Sequence, residues 1–394
     1  MSLVEKFYGK SESYFDEKAC AFTAREIAHQ PDMWRDLCVG LQNDRQRIAD
    51  FFAAMGDLSK LRVIMTGAGS SGFVGAAVSG YLAECNGIQS EAIHTTDIVS
   101  APKAYLFDVP TLLISFARSG NSPESEGAVL AVRKFVKNLY EIAIVCDGES
   151  KLSKAAKASD KSLVLVMPEG TNDKGFAMTS SVSSMILAGF AMFNICKLDE
   201  IAADINRLAD YIEENGTKLS AAAEEVAKLT ATGEVERIWY LGSGPLRAIA
   251  NEGALKVMEL TNGRVVTGFN SATEFRHGPK TVINQKTATV HFISGNGFTA
   301  KYDMDLLKEL YQQRDGNKVI AIHNHSLPAK ADLVIQFCTE GYGICKDAAA
   351  GIQGLVAMQL ISMQTSLALG LTTDNPSPSG LVNRVVQGVT VYPC

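Results

Sequence analysis

The sequence lacks a dominant charge. Its 394 residues carry 37 Lys and Arg against 43 Asp and Glu, a formal net of −6. That balance offers no electrostatic footprint for nucleic acid or an anionic membrane, so neither partner is expected. An anionic ligand has to be held by a local site, against the overall field. The sequence also lacks a close-spaced cysteine pair. Its eight cysteines (20, 38, 85, 146, 196, 338, 345, 394) include no C-x-x-C, which argues against a zinc ribbon or a redox motif. No metal-ligand cluster is visible either, and no cofactor or metal is expected. Buried, reduced cysteines in a cytosolic protein are the expectation. Long apolar runs are missing too. "MSLVEKFYGKSESYFDEK" at the N-terminus has no apolar signal core, and "MILAGFAMF" at 185–193 is far short of the roughly 18 residues of a membrane span. A soluble cytoplasmic protein is expected.

What is present is ordinary in bulk: 46% hydrophobic and 20% charged residues, enough for a packed core. The organisation is more informative. Short apolar runs ending in Gly, Ser or Asn are each followed by a helix-like segment: "LRVIMTGAGSSG" at 61–72, "TLLISFARSGNSPES" at 111–125, "EIAIVCDGES" at 141–150 and "SLVLVMPEG" at 162–170. Continuous apolar strands alternating with helices predict an α/β domain whose parallel sheet is covered on both faces. The series then recurs. "RIWYLGSGPLRAIA" from 237 matches "RVIMTGAGSSGFVG" from 62, and Ser294-Gly295-Asn296 matches Ser119-Gly120-Asn121, in both cases 175 positions apart. "KVIAIHNHS" and "DLVIQFCTEG" complete the second set, so the chain reads as a tandem duplication. Residues 22–57 read as helical, with Pro31 near a helix start. The connecting stretch at about 197–232 reads as two helices split at Gly216. "LVNRVVQGVTVYP" near the C-terminus is too apolar for a disordered tail and is expected to pack back on the body.

In a doubly wound sheet, ligands sit at the carboxyl ends of the strands, where helix N-termini point inward. The first copy is rich in donors there. "GAGSSG" supplies Gly67, Gly69, Ser70 and Ser71, and "ARSGNS" supplies Arg118, Ser119, Gly120, Asn121 and Ser122. Helix N-terminal N–H groups, several hydroxyls and one guanidinium suit a phosphate. The plain alternative is that these are turn and N-cap residues. A dinucleotide fold is disfavoured, because "GAGSSG" is not the G-x-G-x-x-G fingerprint and only Asp97 stands near the required acid.

The second copy reads as having lost this chemistry: "ISGNGF" keeps the glycines, but the hydroxyl and arginine positions are gone. It gains "NEGALKVMEL", whose Glu252, Lys256 and Glu259 share one helical face at i, i+4 and i+7. Glu252–Lys256 could be a surface pair worth a few tenths of a kcal/mol. "TEFRHGPK" then supplies His277 beside Glu274, Arg276 and Lys280. His29, His94, His291, His323 and His325 have no comparable acid–base context.

Taken in order, "GAGSS", "SFARSGNSPES", "NEGALKVMEL" and "EFRHGPK" resemble the sugar isomerase (SIS) domain family, laid out as in the isomerase half of glucosamine-6-phosphate synthase. "ISFARSGNSPES", "GFAMTSS" and "NRVVQGV" resemble more closely the AgaS group of galactosamine-6-phosphate deaminase/isomerases, formerly called tagatose-6-phosphate ketose/aldose isomerases. The resemblance implies two flavodoxin-like SIS domains, at 46–205 and 217–370, after a helical extension at 1–45 and before a tail at 371–394 that packs at the active site. It implies phosphate contacts from Ser70, Ser71, Arg118, Ser119 and Ser122, and substrate contacts from Gly69, Thr179, Ser180, Glu252 and Asn383. Glu259 matches the base that moves a proton between C1 and C2, its pKa raised by burial. His277 matches the ring-opening histidine, which the synthase borrows from a neighbouring subunit, so a homodimer with the site at the interface is implied. Lys256 lines the same site. The synthase's C-terminal lysine has no clear counterpart. Arg384 stands nearby and cannot form a Schiff base, since its guanidinium stays protonated, although it could stabilise an enediolate.

The implied activity is conversion of galactosamine 6-phosphate to tagatose 6-phosphate and ammonia. The chain carries no visible glutaminase domain, which favours release of ammonia over its installation. A plain aldose–ketose isomerase would use the same residues. A non-catalytic sugar-phosphate sensor would call for a basic DNA-binding segment and no Glu259.

Overall fold

The computed structural model describes residues 1–324, 330–386 and 388–394. Two five-stranded parallel sheets form the framework. The first contains β1 (Arg62–Thr66), β2 (Glu91–Ala92), β3 (Thr111–Ala117), β4 (Leu139–Val145) and β5 (Ser162–Val166), in the order β2-β1-β3-β4-β5. The second contains β6 (Arg237–Gly242), β7 (Val266–Asn270), β8 (Thr287–Phe292), β9 (Lys318–Asn324) and β10 (Leu333–Phe337), in the order β10-β9-β8-β6-β7. Read from the opposite edge, the second order is the first, and both are the flavodoxin-like 2-1-3-4-5 arrangement. The duplication seen in the sequence is a duplication of topology.

The apolar runs became strands because they are buried on both faces. Every residue of β3 is buried, and Leu112, Leu113, Ile114 and Phe116 are at most 1% exposed. Each such side chain contributes about 1.5–3 kcal/mol on leaving water. The strand order has a functional consequence. β1 and β3 are direct neighbours, with Thr66 opposite Ser115, so their two following turns lie side by side. β6 and β8 repeat this, with Gly242 opposite Phe292.

The described residues divide into two compact units. One holds residues 1–31, 174–177 and 207–378 with the second sheet; the other holds 32–173, 178–206 and 379–394 with the first. The helical N-terminus is therefore divided near residue 31 rather than standing alone to residue 45. Its first part packs on the second-sheet unit, where Asp374 accepts from the N–H groups of Phe22 and Thr23 (2.9 Å each) at the start of helix Ala21–Ala28. The C-terminal stretch divides likewise, 371–378 going with one unit and 379–394 with the other.

Two further sequence expectations need correction, and two edge strands were not foreseen. Residues Leu198–Ala231 form one unbroken helix of 34 residues, not two. Gly216 does not break it; a Cβ there would lie 2.6 Å from the Phe7 ring, so the glycine makes room for packing. The edge strands β2 and β7 escaped notice because β2 is two exposed residues and β7 carries Gly268 and a half-polar pattern. The cysteines are not uniformly buried: Cys20, Cys38 and Cys146 are, while Cys196 and Cys394 are exposed. No single helix among the described residues is long and apolar enough to cross a membrane.

Candidate active site

In the first-sheet unit the donor-rich turns adjoin. After β1 the chain makes a tight approach: a Cβ on Gly67 would fall 2.5 Å from the backbone of Ser71, and Gly69 has φ +54°. Helix Ser70–Asn86 then begins without a side-chain cap. Ser70 and Ser71 are nearly buried, and Ser71 Oγ lies 3.9 Å from Met178 Sδ. The N–H groups of the helix's first turn are engaged by the turn itself, Ser71 N donating to Ala68 O (3.1 Å) and Gly72 N and Phe73 N to Gly69 O (2.9 and 3.2 Å), and no side chain closes the helix end.

The turn after β3 combines structural and candidate binding groups. Gly120 has φ +58°, and a Cβ on it would meet Ser150 Oγ at 2.5 Å. Asn121 donates to Ser119 O (2.9 Å) and accepts from Lys151 N (3.0 Å), tying the turn to the next helix. Both residues hold the turn. Ser122 caps helix Pro123–Phe135, accepting from Ser125 N (3.3 Å). Ser119 Oγ accepts from Asn121 N at 3.4 Å. The plain capping alternative therefore describes what Ser122 does within the fold. Arg118 is 6% exposed and donates to the main-chain oxygen of Arg384 at 2.8 Å.

Thr179 and Ser180 are not open to a ligand as the resemblance implied. Their hydroxyls, with that of Ser181, donate to the fully buried Asp173 carboxylate at 3.1, 2.5 and 2.5 Å. The three N–H groups of the same residues donate to it as well, at 2.8–3.1 Å. Asp173 fills the N-terminus of helix Ser180–Phe193 with an internal anion. Arg384 donates through Nε to Asp173 O (2.9 Å) and through a terminal guanidinium nitrogen to Asn172 Oδ1 (3.3 Å). Its guanidinium anchors the tail to main chain. Asn383 is exposed and donates to Gly380 O at 3.3 Å.

In the second-sheet unit, helix Leu246–Leu260 presents the acid–lysine–acid face. Glu252 and Lys256 are each 1% exposed and 3.6 Å apart, which rules out the surface-pair alternative. Lys256 Nζ also donates to Glu259, whose side chain is 26% exposed. Glu259 is therefore not buried as expected. A buried ammonium lies between a buried carboxylate and one that solvent reaches.

His277 follows the short helix Ala272–Phe275, which Ser271 and Glu274 close with a capping box and which the fully buried Phe275 anchors. Its polar neighbours are committed elsewhere. Arg276 Nε donates to Glu309 Oε2 (2.9 Å), Lys280 Nζ donates to Glu309 and to Gln313 Oε1 (2.8 Å), and Arg247 pairs with Glu274 (3.3 Å). Against the upward pull of partial burial, Lys280 and Arg276 hold the Glu309 carboxyl below the usual range. Among the described residues the His277 imidazole has no hydrogen-bond partner, so Glu309 fixes the loop and leaves the ring available. His291 is buried and pairs with Thr289 Oγ1 (3.0 Å), and His323 is buried at the end of β9. His325 lies outside the described residues.

The SIS domain family matches residues 58–195. Over 375 residues the chain is 38% identical to an Escherichia coli D-galactosamine-6-phosphate deaminase AgaS, covering 94% of this chain and 96% of that one. The chain belongs to the AgaS family of SIS-domain proteins. Solved structures agree with this membership. A Clostridium novyi protein superposes with a TM-score of 0.93 at 38% identity over 100% of both chains. The Escherichia coli tagatose-6-phosphate ketose/aldose isomerase gives 0.85 at 36% identity, over 94% of this chain and 96% of that one.

Within this AgaS-family chain, four carboxylates with evident work escaped the sequence reading: Asp173, Asp303, Glu309 and Asp347. Only Asp173 had a nearby signal, standing six residues before the Thr-Ser-Ser run of "NDKGFAMTSS".

Proposed function

We propose that the protein is an amino-sugar-phosphate deaminase that converts galactosamine 6-phosphate and water to tagatose 6-phosphate and ammonia, acting in the cytoplasm as a homodimer. The observation that carries the chemistry is the Glu252–Lys256–Glu259 face. Lys256 is buried, in contact with both acids, and only Glu259 at its outer end is reachable from solvent. A carboxylate so placed is suited to general acid–base work, because its neighbour fixes its position without hiding it. The deaminase name of the 38%-identical Escherichia coli relative supports the direction of reaction.

In this reading the phosphate is held by the turns after β1 and β3. Ser70 and Ser71 contribute from one, and Arg118, Ser119 and Ser122 from the other. His277 assists opening of the pyranose ring. Glu259 takes the proton from C2 of the open-chain amine and returns it to C1 through an enolamine. The resulting C2 imine adds water and expels ammonia, leaving the ketose. Lys256 holds Glu259 in place, and Glu252 balances the charge of Lys256.

A second reading is favoured by one observation, the isomerase title of the structural relative from Escherichia coli. An aldose–ketose isomerase would use the same proton shuttle on tagatose 6-phosphate and stop at the aldose. Coupled ammonia assays on galactosamine 6-phosphate and glucosamine 6-phosphate, with a Glu259→Gln variant, separate the two. Ammonia from galactosamine 6-phosphate that disappears in the variant is expected. No ammonia from either sugar, with interconversion of tagatose and galactose 6-phosphates intact, would establish the isomerase instead.

A further inference from the structure

The tandem repeat makes an internal comparison possible. The turn after β8 is the counterpart of the turn after β3, with Ser294-Gly295-Asn296 in place of Ser119-Gly120-Asn121. Its donors were not lost, since Ser294 keeps its hydroxyl and the backbone N–H groups remain. They are already engaged. Ser294 Oγ lies 2.9 and 2.8 Å from the two carboxylate oxygens of Asp347, and Gly295 N donates to the same carboxylate at 2.5 Å. Asp347 stands in the first turn of helix Lys346–Ala368 and is 1% exposed.

A second carboxylate bridges the neighbouring turns. Asp303 accepts from Ser243 Oγ (2.5 Å), in the turn after β6, and from Ser294 N (3.0 Å), in the turn after β8. It is 2% exposed. The repeat aligns Ser243 with Ala68 and Asp303 with Ala128, so the first copy has no acid or hydroxyl at these places. One copy thus ends in donors with Arg118 beside them, and the other ends in donors met by two acids.

We infer that Asp347, supported by Asp303, is a resident anion that occupies the second copy's counterpart of the phosphate turn and so limits each chain to one sugar phosphate. This rests on the proposed function only in assigning the first copy's turn to phosphate. The physical argument is direct. A buried cradle of hydroxyl and N–H donors needs an acceptor, and a carboxylate supplied by the chain has no translational entropy to lose, so it outcompetes a ligand from solution. The like charge of the pair further disfavours a phosphate dianion.

Deleting the resident anion tests this. Asp347→Gly removes the carboxylate and leaves the Ser294 and Gly295 donors in place, while Asp347→Asn keeps an acceptor oxygen there. Thermal unfolding is measured in chloride, formate and inorganic phosphate at equal ionic strength. Asp347→Gly is expected to gain on the order of 3 °C or more in formate over chloride with wild type and Asp347→Asn unmoved, and in phosphate to gain that much beyond the shift all three share through the first-copy turns. Should the glycine variant be unfolded in chloride, formate or phosphate is expected to restore its fold. Equal responses of all three proteins, or no recovery of an unfolded glycine variant, would overturn the inference. Equilibrium dialysis with galactosamine 6-phosphate, on Glu259→Gln protein so that the sugar is not consumed, supplies the stoichiometry. One per chain with Asp347 intact is expected, and two would overturn it. None would overturn the first-copy assignment instead, while the formate series would still decide the role of Asp347.

Discussion

The guanidinium of Arg118 donates a 2.8 Å hydrogen bond to the main-chain carbonyl of Arg384, joining the turn after β3 to the C-terminal strap. The side chain of Arg384 continues the chain of contacts to Asp173 O and Asn172. Arg118→Ala is expected to raise KM for the sugar phosphate at least about tenfold, a loss in line with one charge-assisted hydrogen bond, with a smaller change in kcat. Arg118→Lys keeps the charge without the planar fork and should fall between. Amide exchange around residues 382–386 should quicken in the alanine variant. Unchanged KM in both variants would remove Arg118 from the phosphate site.

Asp173 accepts six hydrogen bonds while fully buried. Asp173→Ala leaves three N–H groups and three hydroxyls without their acceptor, and each orphaned buried group costs about 1–3 kcal/mol before relaxation. A loss of about 4 kcal/mol or more is expected in urea unfolding, among the largest any single substitution produces. Asp173→Asn, which keeps one acceptor oxygen, should lose about half as much.

Glu309 holds Arg276 and Lys280 on either side of His277. Glu309→Gln keeps the shape but weakens both pairs, so the histidine loop should loosen. The expected signature is a fall in kcat of about tenfold, the scale on which a misplaced general acid or base is felt, with KM little changed and the fold intact by circular dichroism. Glu309→Asp, which retains the charge, should recover part of the loss. A change in KM alone would make Glu309 a binding rather than a positioning residue.

Much of this was readable from residue order. The strand runs, their duplication at a fixed spacing and the shared face of Glu252, Lys256 and Glu259 are local or periodic signals, and a parallel sheet reports them faithfully because its strands are apolar throughout. Partnerships across long sequence separations were not readable. Asp347 meeting Ser294, Arg276 and Lys280 converging on Glu309, and Arg384 reaching Asp173 O depend on packing that no spacing rule encodes. Gly216 misled for a related reason. A glycine's low helix propensity is a weak prior, and the Phe7 ring that occupies its missing Cβ lies some two hundred residues away in sequence. Burial of Glu259 was expected from the base it matches, whereas its place at the outer end of the acid–lysine–acid face leaves it open to solvent.

A homodimer that shares its sites makes a qualitative prediction. Glu259→Gln and His277→Ala are each expected to be inactive alone. Co-expressed or mixed after mild dissociation, they should recover up to about a quarter of wild-type activity, since half of the chains pair with the other variant and one of each such dimer's two sites is intact. No recovery from a proven mixed dimer would place both residues of a site in one chain.

The pH dependence of stability follows from two buried groups of the second-sheet unit whose effects oppose. Burial lowers the His291 pKa to about 3, so the native state keeps it neutral while the unfolded chain takes up a proton below about pH 6.5. Its contribution is present above that value and is lost as pH falls, at about 1.4 kcal/mol per unit. Burial raises the Asp303 carboxyl to about 6, with the Asp347 charge adding to the rise and the bonds from Ser243 and Ser294 offsetting part of it. There the native state binds the proton more tightly, so stability is greatest below about pH 4 and is lost as pH rises through 6. Between about pH 4 and 6 the two slopes cancel. His291→Gln removes the acid-sensitive term and should turn stability in that window into a decline with rising pH. Asp303→Asn removes the other and should steepen the loss on acidification, while raising stability at pH 7.5 by on the order of 1–3 kcal/mol. Urea unfolding at half-unit steps from pH 4 to 7.5 reads both slopes. If each variant kept the wild-type slope, neither group would be titrating as its burial requires.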